Sequence, residues 1–185
     1  MKKIIFVILL VIFATISIFV TSCGNSKSSA KITFIPADSL IVNINSYVNT
    51  KVETEGVIAH VCGVDRKKMK LMSENGEVVV VVPYDTTSFD YSLNKKRIKV
   101  YGLVKEERID NSYLDEKEEE KVLLCHVDHT PCKDTEWINA KIEAGVADTL
   151  SKQQIEARRK KMEQQNKGYI SIVTIVCEKY KIVSE

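Results

Sequence analysis

The side chains best suited to metal or thiol chemistry are concentrated in two short segments of the sequence. Residues 60–62 (HVC) and residues 125–132 (CHVDHTPC) together hold all three histidines and three of the five cysteines. If residues 60–62 lie in a strand, two potential ligands share one face of it, about 6 to 7 Å apart. Zn²⁺ is bound by four nitrogen or sulfur ligands at about 2.0 to 2.3 Å. The two segments therefore predict a site for Zn²⁺ or another transition metal. Its candidate ligands are His60, Cys62 and Cys132, joined by His126 or His129.

Disulfide bonding is the alternative chemistry for the same cysteines. Apart from Cys23, the chain holds Cys62, Cys125, Cys132 and Cys177, and four cysteines allow three pairings. In an oxidising compartment a Cys62–Cys132 bond would close a loop of about 70 residues, worth roughly 4 kcal/mol. Cys177 lies in an apolar run and is equally consistent with a core residue. The sequence has no C-x-x-C motif, which argues against thioredoxin-like and cytochrome roles.

The first 22 residues have the composition of an export signal. Lys2 and Lys3 precede an apolar run over residues 4–20, a pattern typical of a secretory signal peptide. The residues that follow, Val20-Thr21-Ser22-Cys23, resemble the lipobox of bacterial lipoproteins. That resemblance implies that a diacylglycerol is attached to Cys23, that the chain is cleaved before it, and that the new N-terminus is acylated. The alternative is a plain transmembrane anchor.

Residues 23–36 are expected to form a lipidated polar tether to the membrane. The sequence after Cys23 is GNSKSSAK, small and polar as in flexible linkers. It has neither an Asp after Cys23, which would resemble an inner-membrane retention signal of lipoproteins, nor an acidic cluster resembling a surface-export signal. The resemblance therefore implies an outer-membrane anchor facing the periplasm. Removing residues 1–22 takes away two lysines, so the 27 basic and 25 acidic residues become 25 and 25. A net charge of zero disfavours nucleic-acid binding.

Runs of alternating and β-branched residues predict a mainly β domain of the α+β type over residues 37–185. Asn75-Gly76 separates two of these runs, and Asn-Gly between strands is the strongest short-range signal for a hairpin. Gly56 lies inside the first run and predicts a bulge or bend there. Residues 84–94 are expected to form a loop or a short helix. The five predicted strands are residues 51–62, 67–73, 77–82, 96–104 and 169–177.

A change of sequence period before the last strand predicts a helical insertion at about residues 134–166. Its second helix is expected to begin at Ser151, because residues 151–154 (SKQQ) are typical of a capping box. A long first strand, an Asn-Gly hairpin and a late helical insertion are compatible with an OB-like barrel. The expected fold is therefore a five-stranded OB-like barrel with a helical insertion before the last strand.

Three stretches carry a resemblance to a known family. Residues 56–71, with the pattern G-x-x-x-H-x-C before a basic and apolar run, resemble small envelope lipoproteins of Gram-negative bacteria. These proteins have an OB-like domain similar to tRNA-anticodon-binding domains. Residues 107–114 (ERIDNSYL) resemble the segment after their fourth strand, and Cys132 with Thr135-Glu136 resembles the start of their helical insertion. The loop after Cys62 is shorter than in the family. The resemblance implies a fold and a location, because the family has no established activity.

These features predict a binding or structural module of the cell envelope rather than an enzyme. The expected partners are the membrane, through the lipid, and an envelope protein, small ligand or metal ion at the His and Cys cluster. A thiol-redox or metal-dependent enzyme of the envelope is the alternative. An oligonucleotide-binding role is disfavoured, because Tyr101 is the only aromatic residue on the two most basic predicted strands.

Overall fold

Five strands close into a β-barrel in the part of the chain that the structure describes. The structure is a computed structural model, and it describes residues 32–183. The expected signal peptide and Cys23, the expected site of lipidation, lie outside the described residues. The barrel strands are β2 (Lys51–Val61), β3 (Met69–Met72), β4 (Val78–Pro83), β5 (Arg97–Asp110) and β6 (Tyr169–Ile182). A short strand β1 (Thr33–Phe34) pairs in parallel with β2, so pairing begins within the segment expected to be the tether.

The strand order confirms the predicted fold class. The barrel strands follow the order β2-β3-β4-β6-β5, and β5 then pairs with β2 to close the barrel. All of these pairs are antiparallel except β4 with β6, which run parallel. The domain is mainly β with several helices, consistent with an OB-like barrel.

Two short helices precede the first barrel strand, and the other helices lie in the connections between barrel strands. The described helices are α1 (Ala37–Val42), α2 (Ile44–Tyr47), α3 (Asn111–Glu119), α4 (Thr135–Glu143) and α5 (Ala147–Gln164), with a 3₁₀ helix at Tyr91–Leu93. Helices α4 and α5 form the insertion before the last strand, where the sequence predicts one. Helices α1 and α2 have no counterpart in the sequence-based prediction. In the described residues, no helix has both the length and the apolar character needed to cross a bilayer.

Two expectations about local structure are wrong. Helix α5 begins at Ala147, so Ser151 lies inside the helix and does not cap it. Its hydroxyl is buried and donates a hydrogen bond of 2.8 Å to the carbonyl of Val122. The bulge of β2 lies between Ile58 and His60 rather than at Gly56. Gly56 instead allows β2 and β3 to approach each other closely, because a Cβ there would lie 2.5 Å from the carbonyl oxygen of Met72.

Two apolar clusters stabilise the domain. The first fills the barrel and includes the buried faces of β2, β3 and β5. The second lies between the outside of the barrel and helices α3 and α5, where Leu124, Val127 and Ile155 pack together. Burying an apolar side chain of this size contributes about 1.5 to 3 kcal/mol. The second cluster therefore holds the loop of residues 122–132 against the barrel.

Candidate functional site: a cleft lined by histidine and cysteine

The bulge at the end of β2 sets the direction of His60 and Cys62. Up to Ile58, every second residue of β2 points into the barrel. After the register shift Val61 is buried, whereas His60 and Cys62 are half-buried and line a cavity. Regular alternation would have placed both side chains in the core and Val61 outside it. The bulge thus turns two potential ligands toward a cleft, a common use of bulges near functional sites.

A tight loop between α3 and α4 presents the second group of candidate ligands. Leu124 and Pro131 form an isolated bridge, and the Cys132 amide donates to the carbonyl of Leu123 at 2.8 Å. The loop turns at His129, whose φ of 61° lies in the left-handed region. These contacts fix the path of the loop backbone.

Helix α5 holds this loop in place through Gln154. The Leu124 amide donates to Gln154 Oε1 at 2.8 Å, and Gln154 Nε2 donates to the Leu124 carbonyl at 3.0 Å. Leu124 is almost fully buried, so its backbone groups have little access to water. Leaving such a group without a partner costs about 1 to 3 kcal/mol. Gln154 is therefore a positioning residue for the loop.

The two groups of candidate ligands meet in one cavity of about 220 Å³. We call it the His–Cys cleft; it is lined by His60, Cys62, His126, Cys132 and Trp137, together with neighbouring residues. The rings of His60 and His126 are in edge-to-face contact, with centroids 4.5 Å apart and an angle of 62° between the planes. The cleft lies between the β2–β3 loop and the connection that joins β5 to β6.

The electrostatic environment of the cleft keeps both histidines neutral near pH 7. Burial lowers the pKa of His60, and the positive charge of Lys70 lowers it further. Burial also lowers the pKa of His126, with smaller contributions from His60 and Lys70. A neutral imidazole carries a lone pair, which is the form that binds metal ions and accepts hydrogen bonds.

His129 lies outside the cleft, although it is only three residues from His126. Its Nδ1 is 2.9 Å from Nη2 of Arg158. Because the guanidinium can only donate, Nδ1 accepts and His129 is neutral. Burial, together with the charge of Arg158, lowers the pKa of His129 to about 4. Of the five expected metal ligands, the structure brings four to one cavity and places His129 on the other side of the loop.

The cysteines fall into two classes. Cys62 and Cys132 are half-buried and line the cleft, whereas Cys125, which also lines it, and Cys177, which does not, are buried. Burial raises the pKa of Cys125 and raises that of Cys177 to about 11. Both buried thiols are therefore protonated and poorly nucleophilic at neutral pH. Within residues 32–183 all four cysteines are free thiols, and the structure contains no disulfide between them.

The donors of the cleft are close together but are not arranged as a finished metal site. Among the described residues, no three His, Cys, Asp or Glu side chains are placed to hold one ion. No side-chain hydrogen bond within residues 32–183 restrains the thiols of Cys62 and Cys132, whereas Cys125 Sγ accepts one from the Val127 amide.

No protein-family model and no curated protein matches the chain.

Sequence reasoning missed several residues that build the cleft. The sequence predicts Gln154 as the last residue of a capping box, whereas it lies inside α5 and contacts the loop. Lys68 reads in the sequence as part of a solvated basic strand, yet it forms a half-buried ion pair with Asp128 and a hydrogen bond of 3.1 Å to Thr130. This pair ties the β2–β3 loop to the loop that carries His126. Trp137, at the start of the helical insertion, also lines the cleft.

Proposed function

We propose that the protein is a membrane-anchored lipoprotein of the bacterial cell envelope and that its OB-like barrel is a binding module. The His–Cys cleft is its binding site. OB folds bind ligands through the loop between their first two strands and the loop between their last two. The β2–β3 loop and the β5–β6 connection are the corresponding segments here, and the cleft lies between them. The contact of His60 with His126 across these two segments carries the proposal.

The proposed ligand of the cleft is a borderline-soft transition metal ion such as Zn²⁺. Two neutral imidazoles and two thiols are the donor set that tetrahedral zinc prefers. Because the donors are not preassembled, the ion has to draw Cys62 and Cys132 toward the histidine pair. Both thiols lose a proton on binding, so affinity falls as the pH is lowered.

Metal binding is tested on the full chain in neutral detergent under reducing conditions, by equilibrium dialysis against Zn²⁺. We expect one ion per chain. His126→Ala should weaken binding by roughly tenfold to a hundredfold, the range for losing an interaction of about 1.4 to 2.7 kcal/mol. The matched control is His129→Asn, which removes a histidine outside the cleft and tolerates the positive φ of that position.

Two outcomes would contradict this assignment. Wild-type protein that binds no stoichiometric metal would exclude the ion as the ligand of the cleft. Equal loss of binding in His126→Ala and His129→Asn would show that the ion is not held where we propose. The two classes of thiol are compared in the same way. Cys62→Ser should weaken Zn²⁺ binding, and Cys177→Ser should leave it unchanged.

The envelope location rests on the lipobox-like residues that end in Cys23 and on the family resemblance. Replacing Cys23 with Ala should abolish acylation of the chain and shift it out of the outer-membrane fraction. The measurement is metabolic labelling with a fatty acid, followed by separation of inner and outer membranes. Unchanged labelling of Cys23→Ala would contradict the lipid anchor and would leave the test of the cleft unaffected.

A further inference from the structure

A second cavity shares His126 with the His–Cys cleft but has a different chemical character. Its volume is about 390 Å³, and it is lined by parts of β3, the Asn75-Gly76 turn, β4, the end of α5 and the start of β6. We call it the lysine cavity, after Lys70, Lys161 and Lys167, which line it. Glu77 is the one acidic residue among the described residues that line it.

The charges of the lysine cavity are not balanced by the protein. None of its three lysines forms an ion pair within residues 32–183, whereas Lys68 nearby is paired with Asp128. Arg158 lies behind the cavity wall at His129, and its buried Nε has no hydrogen-bond partner in the described part of the chain. Lys161 and Arg158 both lower the pKa of His129, which reports a positive potential at this wall.

The floor of the cavity includes an apolar patch, whereas polar groups make up most of the exposed lining. Val80, Val127, Ile170 and Ile172 line it and are buried in the cluster between the barrel and the helices. Ligand sites of proteins combine an apolar lining with a few polar groups that fix orientation. An apolar floor with a cationic rim is complementary to a molecule that has an apolar body and a negatively charged end.

We propose that the lysine cavity binds an anionic amphiphile, with its phosphate or carboxylate at Lys70, Lys161 and Lys167 and its apolar body on the valine and isoleucine floor. The proposal does not rest on metal binding in the cleft, although His126 lines both cavities. Lys161 also lies in the last turn of α5, where a cation stabilises the helix dipole. Lys70 does not stabilise a helix, because it lies on β3, where it pairs with His60 of β2 and Val80 of β4. Lys70 is therefore the residue to change.

The test is calorimetric titration of the full chain with hexyl phosphate at low ionic strength. Lys70→Met keeps most of the apolar stem and removes the charge, and it should weaken binding by roughly tenfold. The matched control is Lys160→Met, the same change at an exposed position of α5 that does not line the cavity. Glu77→Gln should strengthen binding, because it removes the one acid of the lining; a misfolded variant would not do this.

Three probes define the ligand class. Hexyl phosphate should bind more tightly than inorganic phosphate, and hexanol should not bind. Equal affinity for hexyl phosphate and inorganic phosphate would show that the apolar body does not contribute to binding. The cavity would then be a phosphate site, and the proposal of an amphiphilic ligand would be wrong. Equal affinity of Lys70→Met and wild type for hexyl phosphate would overturn the site itself, whether or not the His–Cys cleft binds metal.

Discussion

His126 and His129 lie three residues apart on one loop and have opposite environments. His126 is exposed on the cleft side, where its ring contacts His60. His129 is mostly buried on the packed side, where it accepts a hydrogen bond from Arg158. Both are neutral, but only His126 has a ring nitrogen in a cavity with thiols. The difference shows that the side of the loop, rather than the residue type, separates a candidate ligand from a structural residue.

Residues that pack against the loop hold His126 and Cys132 in position at the cleft. Gln154, Ser151 and Arg158 of α5 each contact the loop or its flanks, and the Lys68–Asp128 pair fastens it to the barrel. Gln154 and Lys68 also line the cleft, so the comparison is one of roles. Changes to the residues that hold the loop reduce stability, and changes to the candidate ligands His60 and His126 reduce binding at little cost in stability.

The largest expected effect is on the packed side, at Gln154. Gln154→Leu keeps a similar volume and leaves the amide and carbonyl of Leu124 without partners. We expect a loss of about 4 kcal/mol in the free energy of unfolding, since each buried group costs about 1 to 3 kcal/mol. Gln153→Leu is the control, because Gln153 is exposed on the same helix. Equal denaturant midpoints for the two variants would contradict the role of Gln154 in holding the loop.

The second effect is a pH dependence of stability from His129. Its pKa falls from 6.5 to about 4 on folding, so the unfolded chain binds more protons in this range. Stability is therefore complete above pH 6.5 and decreases as the pH falls toward 4, by at most about 3 kcal/mol. His60 and His126 act with the same sign. In urea unfolding at pH 7 and pH 4.5, His129→Asn should lose more of this dependence than His126→Asn.

A smaller effect separates the thiols. Under reducing conditions, iodoacetamide should modify Cys62 and Cys132 before Cys125 and Cys177, because the latter pair is buried and its pKa values are raised. Peptide mass spectrometry over time gives the order of modification. Cys125 reacting as fast as Cys132 would show that burial does not protect its thiol, although both cysteines line the cleft.

The sequence predicts the barrel well because strand signals are local. The valine run of β4 and the Asn75-Gly76 turn read directly as a hairpin, and β2 alternates in burial up to Ile58 as its residues suggest. Helices α1 and α2 escape prediction because they are short and form by packing Leu40 and Ile44 on the barrel. Periodicity alone carries no information about such tertiary contacts.

The candidate site was predictable only as a set of residue types. The spacing of residues 125–132 shows that His126 and His129 are near each other in sequence. It does not show that the turn at His129 sends one ring to Arg158 and the other to His60. The bulge before His60 was likewise invisible, because nothing in the sequence around it differs from a regular strand.

The most direct test of the two-sided loop is an NMR titration of the full chain with Zn²⁺, following the imidazole nitrogens of all three histidines. We expect the signals of His60 and His126 to shift together and saturate at one ion per chain, while those of His129 stay in place. A shift of His129, or a shift of His126 without His60, would contradict the His–Cys cleft as the binding site.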